Sequence, residues 1–147
     1  MAFHLSTLHS PNEEHRKKLF ALRREQRKWD PTIRHELRRF AARLWPQSRW
    51  PGWVGLPAYR LRRQLQADQV TWWVERDIPP ADRFRCAAYL VHMRLDAKMR
   101  VVLSVQSRQQ MIPVVPADSA NLRTALFQAG SDLPLIIPRQ MGDALDP

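Results

Sequence analysis

The sequence predicts an α+β fold: an N-terminal basic helical hairpin plus a short helix, followed by a small antiparallel sheet with one C-terminal helix. Three observations lead there. Ile33, Leu37, Phe40, Ala41 and Leu44 recur at i, i+4, i+7, i+8 and i+11, the period of a helix with one buried stripe. Val70–Val74 and Met99–Val105 are rich in β-branched and aromatic residues, and the second alternates. Asp118 or Ser119 can cap a late helix over Ala120–Ala129, with Leu122, Ala125 and Leu126 inward and Gly130 as its stop.

Each element has a local cause. In Ser10-Pro11-Asn12-Glu13 a serine cap, a proline at the first helical position and a capping-box glutamate predict a helix start, with the helix running to Trp29. Its apolar positions are sparse, namely Leu19, Phe20, Leu22 and Trp29, so it has little surface with which to dock on a core. Asp30-Pro31 repeats the start signal, and a second helix is expected from Pro31 to Trp45, stopping before Pro46. With only Asp30 between them, the two are expected to fold as a hairpin. Pro46–Pro57, with Trp50, Trp53 and three prolines, predicts an ordered loop packed by its own side chains. A third helix over Ala58–Ala67 is expected to bury Leu61 and Leu65.

Val70–Val74 predicts a strand that Ile78-Pro79-Pro80 ends. Residues 84–106 fit two readings. As a hairpin turning at Asp96-Ala97-Lys98, they pair Leu95 with Met99, Met93 with Val101, Val91 with Leu103 and Tyr89 with Val105, all apolar. As a helix, Phe84, Ala88, Val91, Leu95, Met99 and Val102 form the stripe. The alternation after Met99 favours the hairpin. Met111–Val115 and Leu133–Ile137 read as short strands, and Pro113, Pro116, Pro134 and Pro138 suggest sheet edges or surface-running extended segments rather than central strands. Residues 1–10 are expected to be a flexible N-terminus and 141–147 a flexible tail. Between them, 11–140 form one domain, with a basic helical half (11–67) and a neutral mixed half (68–140).

The 147 residues carry a net charge of +10, with 44% apolar and 26% charged residues. That composition excludes a disordered polyelectrolyte, a collagen-like chain and a membrane bundle. No run approaches the roughly 20 apolar residues of a membrane span, and Met1–Ser10 lacks the pattern of a secretory leader. The single Cys86 excludes an intramolecular disulfide and suggests a reducing, cytoplasmic setting. Beside Ala87 and Ala88, it reads as buried filler rather than nucleophile.

The charge is lopsided. Residues 1–63 hold fifteen Lys and Arg against five Asp and Glu, whereas residues 64–147 hold nine of each. Arginine dominates, and its planar fork suits phosphate contacts and stacking on bases. Arg16, Lys17, Arg23, Arg24, Arg27, Lys28, Arg34, Arg38, Arg39, Arg43, Arg60, Arg62 and Arg63 are the candidate phosphate contacts. A merely solvated face predicts acidic partners at i, i+4, but Glu25 and Glu36 stand nearly alone. Trp50 and Trp53, on a loop beside Arg49, are candidates for stacking on unpaired bases. In the hairpin register above, Arg94 faces Arg100, a like-charge pair that a phosphate or a nearby carboxylate would relieve.

Catalysis has little footing. There is no glycine-rich phosphate loop, no metal-ligand spacing and no cofactor motif. A metal-independent ribonuclease can work with a His or Arg and a basic phosphate-holding surface, and His92 with Arg85, Arg94 and Arg100 is one candidate constellation, but no second general acid or base is evident. Basic helices followed by an antiparallel meander, roughly over residues 12–106, resemble the small bacterial toxin ribonucleases of the RelE type. The likeness rests on element order and the Arg-rich hairpin, and the C-terminal segment has no place in it. It implies ribonuclease activity as an alternative. The expectation from the residues themselves is a non-catalytic nucleic-acid-binding protein, RNA or DNA undetermined. It would serve as a small subunit or accessory of a larger nucleoprotein complex, with protein partners and no membrane. A further alternative is an interaction protein docking on an acidic protein surface.

Overall fold

The computed structural model describes residues 11–45, 59–78, 81–130, 135–138 and 143–145. It opens with one helix, α1 (Pro11–Leu44), which passes through Asp30-Pro31 without interruption. The expected hairpin is therefore replaced by a single rod of 34 residues. The reason lies in phase. Leu22 and Ile33 are separated by 11 positions, close to three turns of about 3.6 residues. The sparse stripe before Pro31 and the dense stripe after it thus fall on one face, and both Leu22 and Ile33 are buried. Pro31 removes one backbone donor, but one continuous apolar face on the sheet outweighs that loss.

Seven strands follow among the described residues: β1 (Arg60–Gln66), β2 (Gln69–Ile78), β3 (Ala81–Leu95), β4 (Val101–Gln106), β5 (Met111–Val114), β6 (Leu135–Pro138) and β7 (Asp143–Leu145). A second helix, α2 (Ser119–Ala129), lies between β5 and β6. The sheet order is β5-β4-β3-β2-β1-β7, and β6 pairs the first part of β3 on the edge that β4 covers further along. Every pairing is antiparallel. The α+β class is as the sequence predicts. β7 lies within the segment expected to be a loose tail. The expected flexible start at 1–10 and the loop at 46–57 lie outside the described residues.

β1 corrects the third helix expected over Ala58–Ala67. Leu61 and Leu65, read as a helical i, i+4 pair, are also an even number of residues apart, so a strand puts them on one face. Both contribute to the core. The turn into β2 is Ala67-Asp68, with Ala67 at a left-handed φ of 55°. No Gly or Asn marks that turn, so its usual sequence signal is missing.

The hairpin over 84–106 forms, but its register slips by two residues. Leu95 pairs Val101, Met93 pairs Leu103 and Val91 pairs Val105. An even slip keeps every side chain on its expected face. The turn widens to Asp96–Arg100 because the Asp96 carboxylate accepts hydrogen bonds from the Lys98 and Arg100 backbone N–H groups, at 2.9 and 2.8 Å.

Both helices pack on one face of the sheet. Val70, Trp72 and Val74 of β2 form a shared core with Val91, Met93 and Leu95 of β3, Leu103 and Val105 of β4, and the α1 stripe. A bulge sets two β3 residues, Tyr89 and Leu90, against Trp73, with Tyr89 at φ 55°. The bulge lets Ala88 and Tyr89 both join the helix-side core, where Tyr89 meets Phe40 with ring centroids 5.5 Å apart. Asp118 caps α2 by accepting from the Asn121 N–H at 2.7 Å, and Gly130 closes it, as expected.

Candidate nucleic-acid interface

The cationic residues divide into two groups that the sequence treated as one. The first serves the fold. As a strand, β1 sends neighbouring residues to opposite faces. Arg63 reaches the helix side and donates to Asp30 Oδ1 at 2.9 Å. Arg62, on the other face, forms a salt bridge with buried Glu75. Arg34 donates to Asp30 Oδ2 at 3.4 Å. Arg38 and Arg60 are half-buried, and each has a bonding, ring or electrostatic contact of its own. Asp30 also accepts from the Trp72 indole at 2.8 Å. Burial pushes the Asp30 carboxyl up, but the Trp72 and Arg63 hydrogen bonds, the Arg63 charge and the Arg34 bond reverse this and hold its pKa below the usual value.

A second carboxylate links the helices. Glu36, 2% exposed, accepts from Arg123 Nε at 3.2 Å and from a terminal nitrogen of the same guanidinium at 2.9 Å. Arg39 lies 4.0 Å away. Hydrogen bonding and charge from Arg123, against burial, keep the Glu36 pKa low. No local sequence pattern marks this pair, because its members are 87 positions apart. Arg39, Arg43 and Arg123 line a cleft of about 280 Å³ with Phe40 and Phe127, and Arg43 stacks on Phe40 at 5.5 Å.

The second group is free of such duties. Arg16, Lys17, Arg23, Arg24, Arg27 and Lys28 are all exposed. None has a carboxylate partner among the described residues. They occupy the first half of α1, where the apolar stripe is narrowest. Their span from 16 to 28 is about 18 Å at 1.5 Å per residue. Phe20, one of the sparse apolar positions of this segment, stands 66% exposed among them.

The remaining candidates separate. Trp50 and Trp53 lie outside the described residues, as does Arg49. The other tryptophans are structural: Trp45, Trp72 and Trp73 are buried, and Trp29 is partly buried against the core that holds Trp45 and Trp72. Arg94 faces Val102 rather than Arg100, because of the two-residue slip. Arg100 sits in the turn, 3.9 Å from Asp96. The expected like-charge pair is therefore absent, and the local carboxylate takes Arg100. For Arg85 only the backbone position in β3 is described.

His92 lies on the sheet face away from the helices, held at both ring nitrogens. Its Nδ1 accepts from the Thr71 hydroxyl at 2.9 Å and from the Gln69 amide at 3.0 Å, and its Nε2–H donates to Gln106 at 2.7 Å. Burial lowers its pKa below the usual value, against the Gln106 bond, which raises it. Burial also pushes the Cys86 thiol up, away from the thiolate. Among the described residues no three His, Cys, Asp or Glu side chains gather to hold a metal, and no helix is long and apolar enough to cross a membrane. Comparison with protein-family descriptions, with curated proteins and with solved structures finds no match for this chain.

Proposed function

We propose that the protein is a non-catalytic nucleic-acid binder, using the first half of α1 as its phosphate-contacting surface. It would act as a small subunit or accessory of a larger nucleoprotein complex, with the neutral half completing the core and meeting protein. One observation carries the reading: six exposed cations without described carboxylate partners crowd residues 16–28. Arg23 and Arg27, Arg24 and Lys28, and Arg24 and Arg27 are like-charge neighbours on the helix surface. Each such pair costs about 0.2–0.5 kcal/mol in isolation. A polyanion removes that cost and gains entropy by releasing its condensed counterions. The patch length matches about five phosphates of one strand at about 3.4 Å each.

The test is retardation of labelled RNA, single-stranded DNA and duplex DNA at two salt concentrations. The expected result is an intact retarded band, with log affinity falling against log salt at a slope of about −3 to −5 for four to six contacts. A shortened product would make the protein a nuclease. No retention even at low salt would remove nucleic acid as the partner, leaving an acidic protein surface.

A further inference from the structure

We infer that Phe20 and its four cationic neighbours form a base-stacking site, so that the ligand of α1 is a single strand with unpaired bases rather than a duplex. This rests on the nucleic-acid reading above and narrows it. On a helix surface the nearest neighbours of a residue are those three and four positions away. For Phe20 these are Arg16, Lys17, Arg23 and Arg24, and every one is a cation. All four are exposed, and none is tied to a carboxylate among the described residues. The ring is itself 66% exposed. The cation–ring contacts among the described residues are Arg43 on Phe40 and Arg76 on Trp45, so the Phe20 ring carries none.

An apolar ring surrounded by charge makes a poor docking patch for an apolar partner, because burying it would desolvate four cations. A nucleotide suits all five side chains at once. Its phosphates answer the cations while its base covers the ring, and any of the four bases can do so. A duplex satisfies the charges alone, since its base faces are already stacked on each other. The preference for single strands thus comes from Phe20, and the salt dependence from its neighbours.

The experiment measures binding of a mixed-sequence single strand of about twelve nucleotides, and of a duplex of the same length, by fluorescence anisotropy across salt. Wild type is compared with Phe20→Leu, which keeps apolar bulk, and Phe20→Trp, which keeps a stacking face. Both substitutions lie on an exposed helix position, and thermal unfolding confirms that they fold. The expected result is tighter binding of the single strand, a loss of about tenfold in Phe20→Leu for that strand alone, an unchanged salt slope, and recovery in Phe20→Trp. If Phe20→Leu binds the single strand as wild type does, with salt-dependent binding intact, the stacking site is wrong and the phosphate-contacting surface stands. A loss confined to the duplex would make Phe20 a wedge between base pairs and overturn the single-strand preference. If wild type retains neither ligand at low salt, the nucleic-acid reading falls and takes this inference with it.

Discussion

The Asp30 carboxylate accepts a 2.8 Å hydrogen bond from the indole of Trp72, which is fully buried and 42 positions along the chain. An aspartate before a proline announces a helix start, yet here it sits inside a helix and fastens that helix to the sheet. Removing it strands a buried indole N–H and the Arg63 guanidinium. Asp30→Ala is expected to lower unfolding free energy by about 3 kcal/mol, and Asp30→Asn by about 1 kcal/mol, because the amide oxygen can still accept from Trp72. Urea unfolding of the two variants checks the order.

The continuity of α1 across Pro31 has its own consequence. A proline inside a helix costs up to about 3 kcal/mol relative to alanine. Pro31→Ala is therefore expected to stabilise the protein by about 1–2 kcal/mol and raise its midpoint of thermal unfolding. A hairpin bending at Asp30 would instead lose its turn residue and be weakened, so the sign of the change decides between the two.

For Glu36 and Arg123 the expected effect is asymmetric. Glu36 is buried, whereas the Arg123 side chain is 48% exposed. Arg123→Met leaves a carboxylate without its main partner in the interface between the helices. Glu36→Met frees a guanidinium that water can solvate. The first variant is expected to melt at the lower temperature, and the double variant to regain part of the loss. Equal effects in both single variants would contradict this.

Acid should destabilise the protein in two separate stages. The unfolded chain protonates a histidine near 6.5, the ordinary value, while folded His92 takes the proton only at lower pH. Its contribution is complete above that value and is lost as pH falls through the folded pKa. His92→Gln is expected to flatten the fall in stability that begins as pH drops below the ordinary histidine value of 6.5. Asp30 and Glu36 act later. Their depressed values make their contribution full above the ordinary 3.8 and 4.5, and it disappears as pH falls through the folded values. Unfolding curves at successive pH values, with and without His92, separate the stages.

The two classes of arginine should also come apart. Arg24→Gln is expected to leave stability within about 0.5 kcal/mol and to reduce the salt slope of binding by about one. Arg62→Gln removes the Arg62 salt bridge to buried Glu75, and is expected to cost about 2 kcal/mol with the slope unchanged. Matched unfolding and binding measurements on both variants test this.

The sequence by itself determined which segments alternate, which carry a helical stripe and where the cationic excess lies, since these are properties of neighbouring residues. Thus β2, β4, β5, α2 and its Asp118 cap were legible. The hairpin of β3 and β4 was too, apart from an even slip that leaves all faces in place. Only the tertiary structure decided that Leu61 and Leu65 lie on a strand, because a spacing of four satisfies both periods and a neighbouring β2 supplies the hydrogen bonds. Only it decided that α1 runs through Pro31, where a sheet long enough to take both stripes outweighs one missing donor. The partition of the arginines was settled at the same level. A carboxylate distant in sequence claims a guanidinium only when packing brings the two together, as Asp30 does for Arg63 and Glu75 for Arg62.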